Sequence, residues 1–199
     1  GDFCADALRS FTDADIAMVN GGGIRTNIKR GEILFNDLYN VMPFGDMIAT
    51  GTFYGEQLLD VLEFAVSALP AEAGTFMQVS GLRFTVDPDI PSPVMKDTET
   101  GMFSHVGEGE RRVSHVEILD KQSGEYKAVE LSRQYTIATL DYLIIEQGGS
   151  GILSCVKPDS IYWGADIEVL RHYLESVLGG NIGSEYTQPQ GRIIYKYFN

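Results

Sequence analysis

The clearest chemical signal in the chain is a run of three glycines followed closely by a cation. Asn20-Gly21-Gly22-Gly23-Ile24-Arg25 comes directly after residues 16–19, an apolar segment that favours a strand. Glycines let the backbone adopt positive φ and approach a ligand closely, and a guanidinium offers a planar fork of donors that fits phosphate or carboxylate. Neither G-x-G-x-x-G nor G-x-x-x-x-G-K-[ST] occurs, so Rossmann and P-loop phosphate sites are disfavoured. The pattern therefore predicts a local anion-binding loop, and the alternative is a tight turn beside a solvated arginine.

Hydrophobic periodicity predicts the elements that would position this loop. We expect helices over residues 2–11, 37–41, 55–69 and 166–178, with Asn36 as the N-cap of the second. We expect strands over residues 13–19, 32–35, 46–54, 76–86, 113–119, 127–131 and 133–140. Residues 87–112 are rich in Pro, Gly, Asp, Glu and Ser and form the longest loop-like region. Because helices are separated by groups of strands, the predicted fold class is α+β rather than a βαβ repeat.

Composition and charge limit the possible functions. The 199 residues suffice for one large domain with its own core, and 44% hydrophobic residues is typical of globular proteins. A net charge of −13 argues against nucleic acids and anionic membranes as partners. No apolar run approaches the roughly 20 residues of a membrane helix, and no export signal opens the chain, so it is either cytosolic or exported with the signal segment absent from it. Cys4 and Cys155 are too few for a disulfide framework and are predicted to be buried thiols.

Further motifs accompany the glycine loop in a fixed order. They are Gly1-Asp2-Phe3-Cys4-Ala5-Asp6-Ala7-Leu8, Val41-Met42-Pro43-Phe44-Gly45-Asp46, Gln78-Val79-Ser80-Gly81-Leu82-Arg83-Phe84, Tyr135-Thr136-Ile137-Ala138-Thr139-Leu140-Asp141-Tyr142-Leu143, Gly148-Gly149-Ser150-Gly151 and Gly191-Arg192-Ile193. Together they resemble the C-terminal, substrate-binding domain of the 5'-nucleotidase family, which includes UDP-sugar hydrolases and ecto-5'-nucleotidase. The resemblance runs from end to end. It implies a single domain over residues 1–199, with layered α/β/β/α architecture, mixed sheets and a loop-rich insertion at residues 87–112.

The resemblance also implies roles for residues around the glycine loop. Arg25 matches the arginine that contacts the substrate phosphates in this family, and Gly22 and Gly23 belong to the same substrate-binding loop. Asn20 matches an asparagine whose amide faces the base or lines the pocket, although Asn before Gly is also a common turn residue. Asp46 is a candidate acceptor for the edge of the base. The alternative for Asp46 is a solvated turn carboxylate.

Two aromatic residues match the pair that encloses the nucleobase in this family. They are Phe44, in a turn that Pro43 rigidifies, and Tyr142. The alternative for Phe44 is a core aromatic. The chain departs from the family pattern in two ways: five residues separate Tyr142 from Gly148 where the family has three, and Ser150 replaces an aspartate that accepts hydrogen bonds from the ribose hydroxyls. The longer turn could shift Tyr142 away from the loop, and an uncharged hydroxyl predicts weaker ribose recognition.

Catalytic residues are not evident in the sequence. The three histidines, His105, His115 and His172, are predicted in a loop, a strand and a helix, and no D-x-H, G-N-H-[DE], C-x-x-C or H-E-x-x-H motif occurs. There is no G-x-S-x-G elbow, and Ser150 has no evident base. In the family that the chain resembles, a separate N-terminal metallophosphatase domain holds a pair of divalent metal ions of the Zn, Mn or Co type that perform the hydrolysis. No cofactor is therefore expected in this chain.

These observations predict a substrate-recognition domain. It would bind a nucleoside monophosphate or a nucleotide-sugar and present it to an N-terminal metallophosphatase domain or to a separate metallophosphatase chain. The resemblance implies a periplasmic or cell-surface location. Two alternatives stay open: a non-catalytic binding module for a nucleoside or a phosphorylated metabolite, and an interaction scaffold whose glycine loop is vestigial.

Overall fold

The computed structural model describes residues 1–196, apart from the side chains of residues 161–163. Its helices are α1 (Asp2–Thr12), α2 (Phe35–Val41), α3 (Gly55–Val66), α4 (Asp141–Ile144), α5 (Gly148–Gly151) and α6 (Asp166–His172). Its strands are β1 (Ile16–Asn20), β2 (Met47–Tyr54), β3 (Met77–Ser80), β4 (Leu82–Val86), β5 (Val94–Lys96), β6 (Phe103–Val106), β7 (Val113–Leu119), β8 (Tyr126–Ala128), β9 (Gln134–Leu140), β10 (Lys157–Ala165) and β11 (Ile193–Tyr195). Turns of 3-10 helix lie at Gly21–Gly23 and Ser184–Tyr186, and a π-helical turn, Tyr173–Val177, continues α6.

The strands form two mixed sheets and a separate hairpin. The larger sheet has the order β10-β2-β9-β1-β3, the smaller has the order β11-β4-β7-β8, and β5 pairs with β6. β1 is parallel to β9, and β11 is parallel to β4, whereas the other described pairs are antiparallel. α3 packs against strands of both sheets and against β6, which explains why residues 61–66 are all buried. The predicted α+β class with mixed sheets is confirmed.

Four segments meet at one edge of the larger sheet, which we call the site edge. They are the glycine loop after β1, residues 43–46 before β2, α4 after β9 and α6 after β10. The parallel strands β1 and β9 both end there. β2 is antiparallel to β9 and begins there, because Ile48 lies opposite Leu140. β10 ends there as well, with Ala165 opposite Met47.

Many of the predicted elements are confirmed, with shifted ends. The predicted helices 2–11 and 55–69 correspond to α1 and α3, and the predicted strands 13–19, 46–54, 113–119, 127–131 and 133–140 correspond to β1, β2, β7, β8 and β9. The predicted helix 166–178 is α6 followed by the π-helical turn. The loop-rich region 87–112 contains the β5–β6 hairpin, so His105 lies in a strand and not in a loop.

Three predictions of local structure are wrong. Residues 32–35 form no strand, because α2 begins at Phe35. The N-cap of α2 is Leu34 and not Asn36, and the Leu34 N–H donates to the Asp37 carboxylate at 2.8 Å. Residues 76–86 are not one strand but two, β3 and β4, which lie in different sheets. Gly81 separates them and has φ +70°. A Cβ at this position would collide with the carbonyl oxygen of Asp15, the residue before β1.

The cysteine prediction is half right. Cys4 is buried, but Cys155 is only partly buried, and both are free thiols. Burial raises the pKa of each thiol to about 11, so neither is a reactive thiolate near neutral pH. Within the part of the chain that the structure describes, no helix has the length and apolar character needed to cross a bilayer.

Candidate functional site

The glycine loop is built to pack against a neighbouring segment. Gly21–Gly23 form a 3-10 turn, and none of these three glycines has positive φ, contrary to the expectation from their type. The Gly21 N–H donates to the Phe76 carbonyl at 2.7 Å, and the Gly22 N–H donates to the Gly74 carbonyl at 3.0 Å. A Cβ on Gly22 would lie 3.1 Å from the Gly74 Cα. Two amides of the loop are therefore already bonded to protein carbonyls and are not available to an anion.

Arg25 supplies a cationic side chain beside this loop. It is exposed, and its Nη1 donates to the Gly22 carbonyl at 3.0 Å, while its backbone N–H donates to the Val41 carbonyl at 2.8 Å. Within residues 1–196, the bond to Gly22 is the guanidinium's only hydrogen bond to a protein group. The backbone bond fixes the base of the side chain, and the remaining guanidinium donors face solvent or a ligand.

A pocket of ≈ 660 Å³ opens beside Arg25. Its lining residues are Arg25, Thr26, Asn27, Lys29, Asp37, Asn40, Pro43 and Phe44. The pocket combines two cations, two side-chain amides and an aromatic ring, and its volume is in the range of small-molecule sites. Lys29 and the two asparagines were not predicted from the sequence. Lys29 follows Arg25 by four residues in the same loop, and that spacing is the signal that could have indicated a second cation.

The two predicted aromatic residues are both accessible. Phe44 is 61% exposed and Tyr142 is 37% exposed, whereas core aromatics such as Phe84 are buried. Phe44 lines the pocket with Arg25, but Tyr142 is not among the lining residues. Both rings are therefore available to a ligand, and only Phe44 shares the Arg25 pocket.

Tyr142 stays in contact with the Gly148–Gly151 segment. Its ring lies so close to Gly148 that a Cβ there would collide with it, and the Gly149 N–H donates to its Oη at 3.4 Å. The five-residue spacer therefore does not separate Tyr142 from this loop. Ser150 is partly exposed and has φ +62°, a left-handed conformation that Asn and Asp adopt more readily than Ser.

Asn20 lies under the glycine loop and does not line the pocket. It is 7% exposed, and its Oδ1 has no hydrogen-bond partner among the described residues. The same oxygen lies 3.1 Å from the position of a Cβ on Gly23, so a larger residue there would require a small shift of the Asn20 side chain. Its burial next to Gly22 and Gly23 favours a role in supporting the loop.

Four carboxylates lie near one another at the site edge: Asp46, Asp141, Glu146 and Asp166. Asp166 opens α6 and is 1% exposed; its Oδ1 accepts from the Ile167 N–H at 2.6 Å, and its Oδ2 has no partner in the described structure. The pKa of Asp166 is raised to about 6, chiefly by burial and also by the charge of Asp46, and hydrogen bonds from backbone amides partly oppose the increase. Burial also raises the pKa of Asp46, with contributions from the charges of Asp141 and Glu146. Nothing in the sequence marked Asp166 as different from an ordinary helix-start aspartate.

The described residues do not fit a catalytic metal pair. They contain no group of three or more His, Cys, Asp or Glu side chains arranged to hold a metal ion. His105, His115 and His172 lie in β6, β7 and α6 and do not meet. No hydrolytic step is therefore assigned to a metal bound by these residues.

Comparison with known proteins gives the family. Residues 1–157 match the sequence profile of the family described as "5'-nucleotidase, C-terminal domain". This chain belongs to that family. It is 30% identical over 155 residues to the trifunctional nucleotide phosphoesterase protein YfkN of Bacillus subtilis, covering 76% of this chain and 9% of that protein. It is 28% identical over 201 residues to a 5'-nucleotidase of Vibrio parahaemolyticus, covering 100% of this chain and 30% of that protein.

The fold agrees with this assignment. A crystal structure of a 5'-nucleotidase precursor from Thermus thermophilus superimposes with a TM-score of 0.77 at 27% identity, covering 98% of this chain and 34% of that one. This 5'-nucleotidase C-terminal domain therefore spans about a third or less of the length of these relatives. The remainder of each relative corresponds to sequence outside this chain.

Proposed function

We propose that this chain is the substrate-recognition domain of a 5'-nucleotidase-type phosphohydrolase. It binds a nucleoside monophosphate or a nucleotide-sugar and presents the phosphate to a metallophosphatase domain or a separate metallophosphatase chain. The observation that carries the proposal is the presence of Arg25 and Phe44 in one ≈ 660 Å³ pocket. This arrangement offers a cation for phosphate and a ring face for a base within a single ligand's reach.

Each site residue has a role in this proposal. Arg25 and Lys29 bind the phosphates, and Phe44 stacks on the base with Tyr142 on its other face. Asp46 accepts from the edge of the base, and Ser150 contacts the sugar. Asn20, Gly22 and Gly23 shape the loop from which Arg25 projects. The metal pair, of the Zn, Mn or Co type, belongs to the metallophosphatase partner.

The proposal extends to the setting of the protein. Residues 1–199 act as one domain, and the intact protein is exported to the periplasm or the cell surface, as the resemblance implies. The net charge of −13 supports a small-molecule ligand over a nucleic acid, because an acidic protein repels a polyanion.

Calorimetric titration with AMP, adenosine and inorganic phosphate tests the proposal. Charge-assisted hydrogen bonds contribute about 1.5–3 kcal/mol, so Arg25→Ala should weaken AMP binding about tenfold or more and affect adenosine little. Arg30→Ala is the matched control, because Arg30 is an exposed cation of the same loop that does not line the pocket. Equal effects of the two substitutions on AMP would contradict the phosphate role of Arg25.

A second candidate is a binding module without turnover. The observation that favours it is Ser150, which replaces the aspartate expected at the sugar and occupies a left-handed conformation. Adding a metallophosphatase domain from a relative to this chain separates the two. Metal-dependent AMP hydrolysis that Arg25→Ala abolishes supports the phosphohydrolase, and AMP binding without hydrolysis supports the module.

A further inference from the structure

One carboxylate oxygen links the two segments that carry the exposed aromatic rings. Asp141 Oδ1 accepts from the Met47 N–H at 3.0 Å and from the Tyr142 N–H at 2.9 Å. Met47 follows the turn of residues 43–46 that holds Phe44, and Tyr142 carries the other ring. The two bonds therefore meet at a single atom between the Phe44 turn and the start of α4.

The topology explains why a side chain is needed at this point. β9 passes directly into α4 without a loop, and the last backbone pair of β2 and β9 is Ile48 with Leu140. The next residues along the ladder are Met47 and Asp141, but the backbone of Asp141 is already helical. The Asp141 side chain takes over the role of the strand carbonyl, and it also satisfies one of the free N–H groups in the first turn of α4.

The other end of the Phe44 turn is fixed independently. The Asp166 N–H donates to the Asp46 carbonyl at 2.9 Å, which ties the turn to α6. No described hydrogen bond joins residues 43–46 to α4 except through Asp141 and the following strand. Next to the Ile48–Leu140 strand pair, the Asp141 carboxylate is thus the described hydrogen-bond acceptor that ties the Phe44 turn to the start of α4.

We propose that Asp141 is a positioning residue that fixes the relative placement of Phe44 and Tyr142 for a planar aromatic ligand. The inference rests on the proposed function, in which both rings contact the nucleobase. Asp141 itself does not touch the ligand. The positioning role rests on the two backbone bonds that this carboxylate accepts, so an amide oxygen of the same shape can take its place in that role.

The first experiment uses the free chain and no ligand. Amide hydrogen exchange, measured residue by residue by NMR, should increase tenfold or more at both Met47 and Tyr142 in Asp141→Ala. Exchange should stay near the wild-type rate in Asp141→Asn, which keeps an oxygen acceptor. The amides of β9 residues 136–139 serve as internal references. Unchanged exchange at Met47 and Tyr142 in Asp141→Ala would overturn the inference.

The second experiment measures AMP affinity in a double-mutant cycle. Phe44→Ala and Tyr142→Ala are made singly and together, in the wild-type background and in Asp141→Ala. Asp141→Ala should weaken AMP binding tenfold or more and remove the coupling between the two rings, and Asp141→Asn should restore both. Asp120→Ala is the structural control, because the Asp120 carboxylate also accepts a backbone bond, from Ser123, but in a distant turn. It should lower stability without altering AMP affinity.

The outcomes separate this inference from the proposed function. If wild type binds AMP and Asp141→Ala binds it equally well, Asp141 has no positioning role and the proposed function stands. If Asp141→Ala weakens binding but Asp141→Asn does not restore it, the effect comes from charge and the positioning role is wrong. If wild type binds neither AMP nor adenosine, both the proposed function and the inference fail.

Discussion

The buried carboxyl of Asp166 should make the stability of the fold depend on pH in a specific direction. Its pKa is raised from 3.8 to about 6, chiefly by burial, so the native state holds a proton that the unfolded chain has released over that range. The native state therefore binds more protons between about pH 4 and pH 6, and the free energy of unfolding falls as pH rises through this window. A difference of roughly 2 pKa units corresponds to about 3 kcal/mol. The free energy of unfolding stays lower by this amount above pH 6.

Asp166→Asn tests this magnitude. The variant keeps an oxygen for the Ile167 N–H but cannot ionise. The buried amide nitrogen changes the absolute stability by a constant amount, so the informative quantity is the wild-type free energy of unfolding minus that of the variant, plotted against pH. Urea unfolding at intervals from pH 4 to pH 7.5 should show this difference falling by about 3 kcal/mol and then becoming flat. The pKa of Asp46 is also raised by burial, but Asp46 is present in both proteins, so its own titration largely cancels in this difference.

Asp120→Asn is the control for this measurement. Asp120→Asn removes a carboxyl whose pKa in the folded state is lowered by hydrogen bonds from the Ser123 N–H and hydroxyl. Its contribution to stability is complete once the pH exceeds the unfolded-state pKa, so its difference curve should be flat from about pH 5 to pH 7.5. A flat curve for Asp166→Asn as well, or one that rises with pH, would refute the argument that Asp166 is buried and unpaired on one oxygen.

The remaining predictions concern the ligand and its hydrolysis. Phe44→Ala should weaken adenosine binding by about 1–3 kcal/mol with little change in Tm, whereas Phe84→Ala should cost about 3–5 kcal/mol of stability in urea; the reverse result would contradict the ligand-facing role of Phe44. The isolated chain should release no phosphate from AMP with Mn²⁺, Co²⁺ or Zn²⁺, and activity that survives repurification and is lost in Arg25→Ala would disprove this. AMP and 2'-deoxy-AMP should bind within roughly tenfold of each other, and Ser150→Asp should increase the preference for AMP; a hundredfold preference in wild type would show that Ser150 recognises ribose well.

The parts of the fold that the sequence predicts well are those with regular burial. Along α3 the apolar residues recur at helical spacing, and β2 and β9 lie inside the larger sheet, so their patterns follow directly from their surroundings. β10 was not predicted because it is an edge strand with register shifts, and it includes Lys157 and Pro158. The strand predicted at residues 32–35 is wrong because it relied on the apolar residues Leu34 and Phe35. Both side chains are more than half exposed.

The site was predictable only where a motif carried it. Arg25 and Phe44 stand in recognisable motifs, and the structure places them in one pocket. Asp141 and Asp166 acquire their environments from the pairing of β2 with β9 and β10, which joins residues about a hundred positions apart. No local pattern contains that information. Lys29 enters the pocket because of the path of the loop between β1 and α2, which periodicity does not describe.

The hydrogen bonds within the glycine loop have a thermodynamic consequence. Because the Gly21 and Gly22 amides are bonded to residues 74–76, the platform beneath Arg25 is ordered before a ligand arrives. Binding therefore loses little backbone entropy at this loop, and most of the ordering falls on the exposed side chains. Such preorganisation favours rapid association with a modest entropic penalty. A slow phase in ligand binding would then have to arise outside this loop.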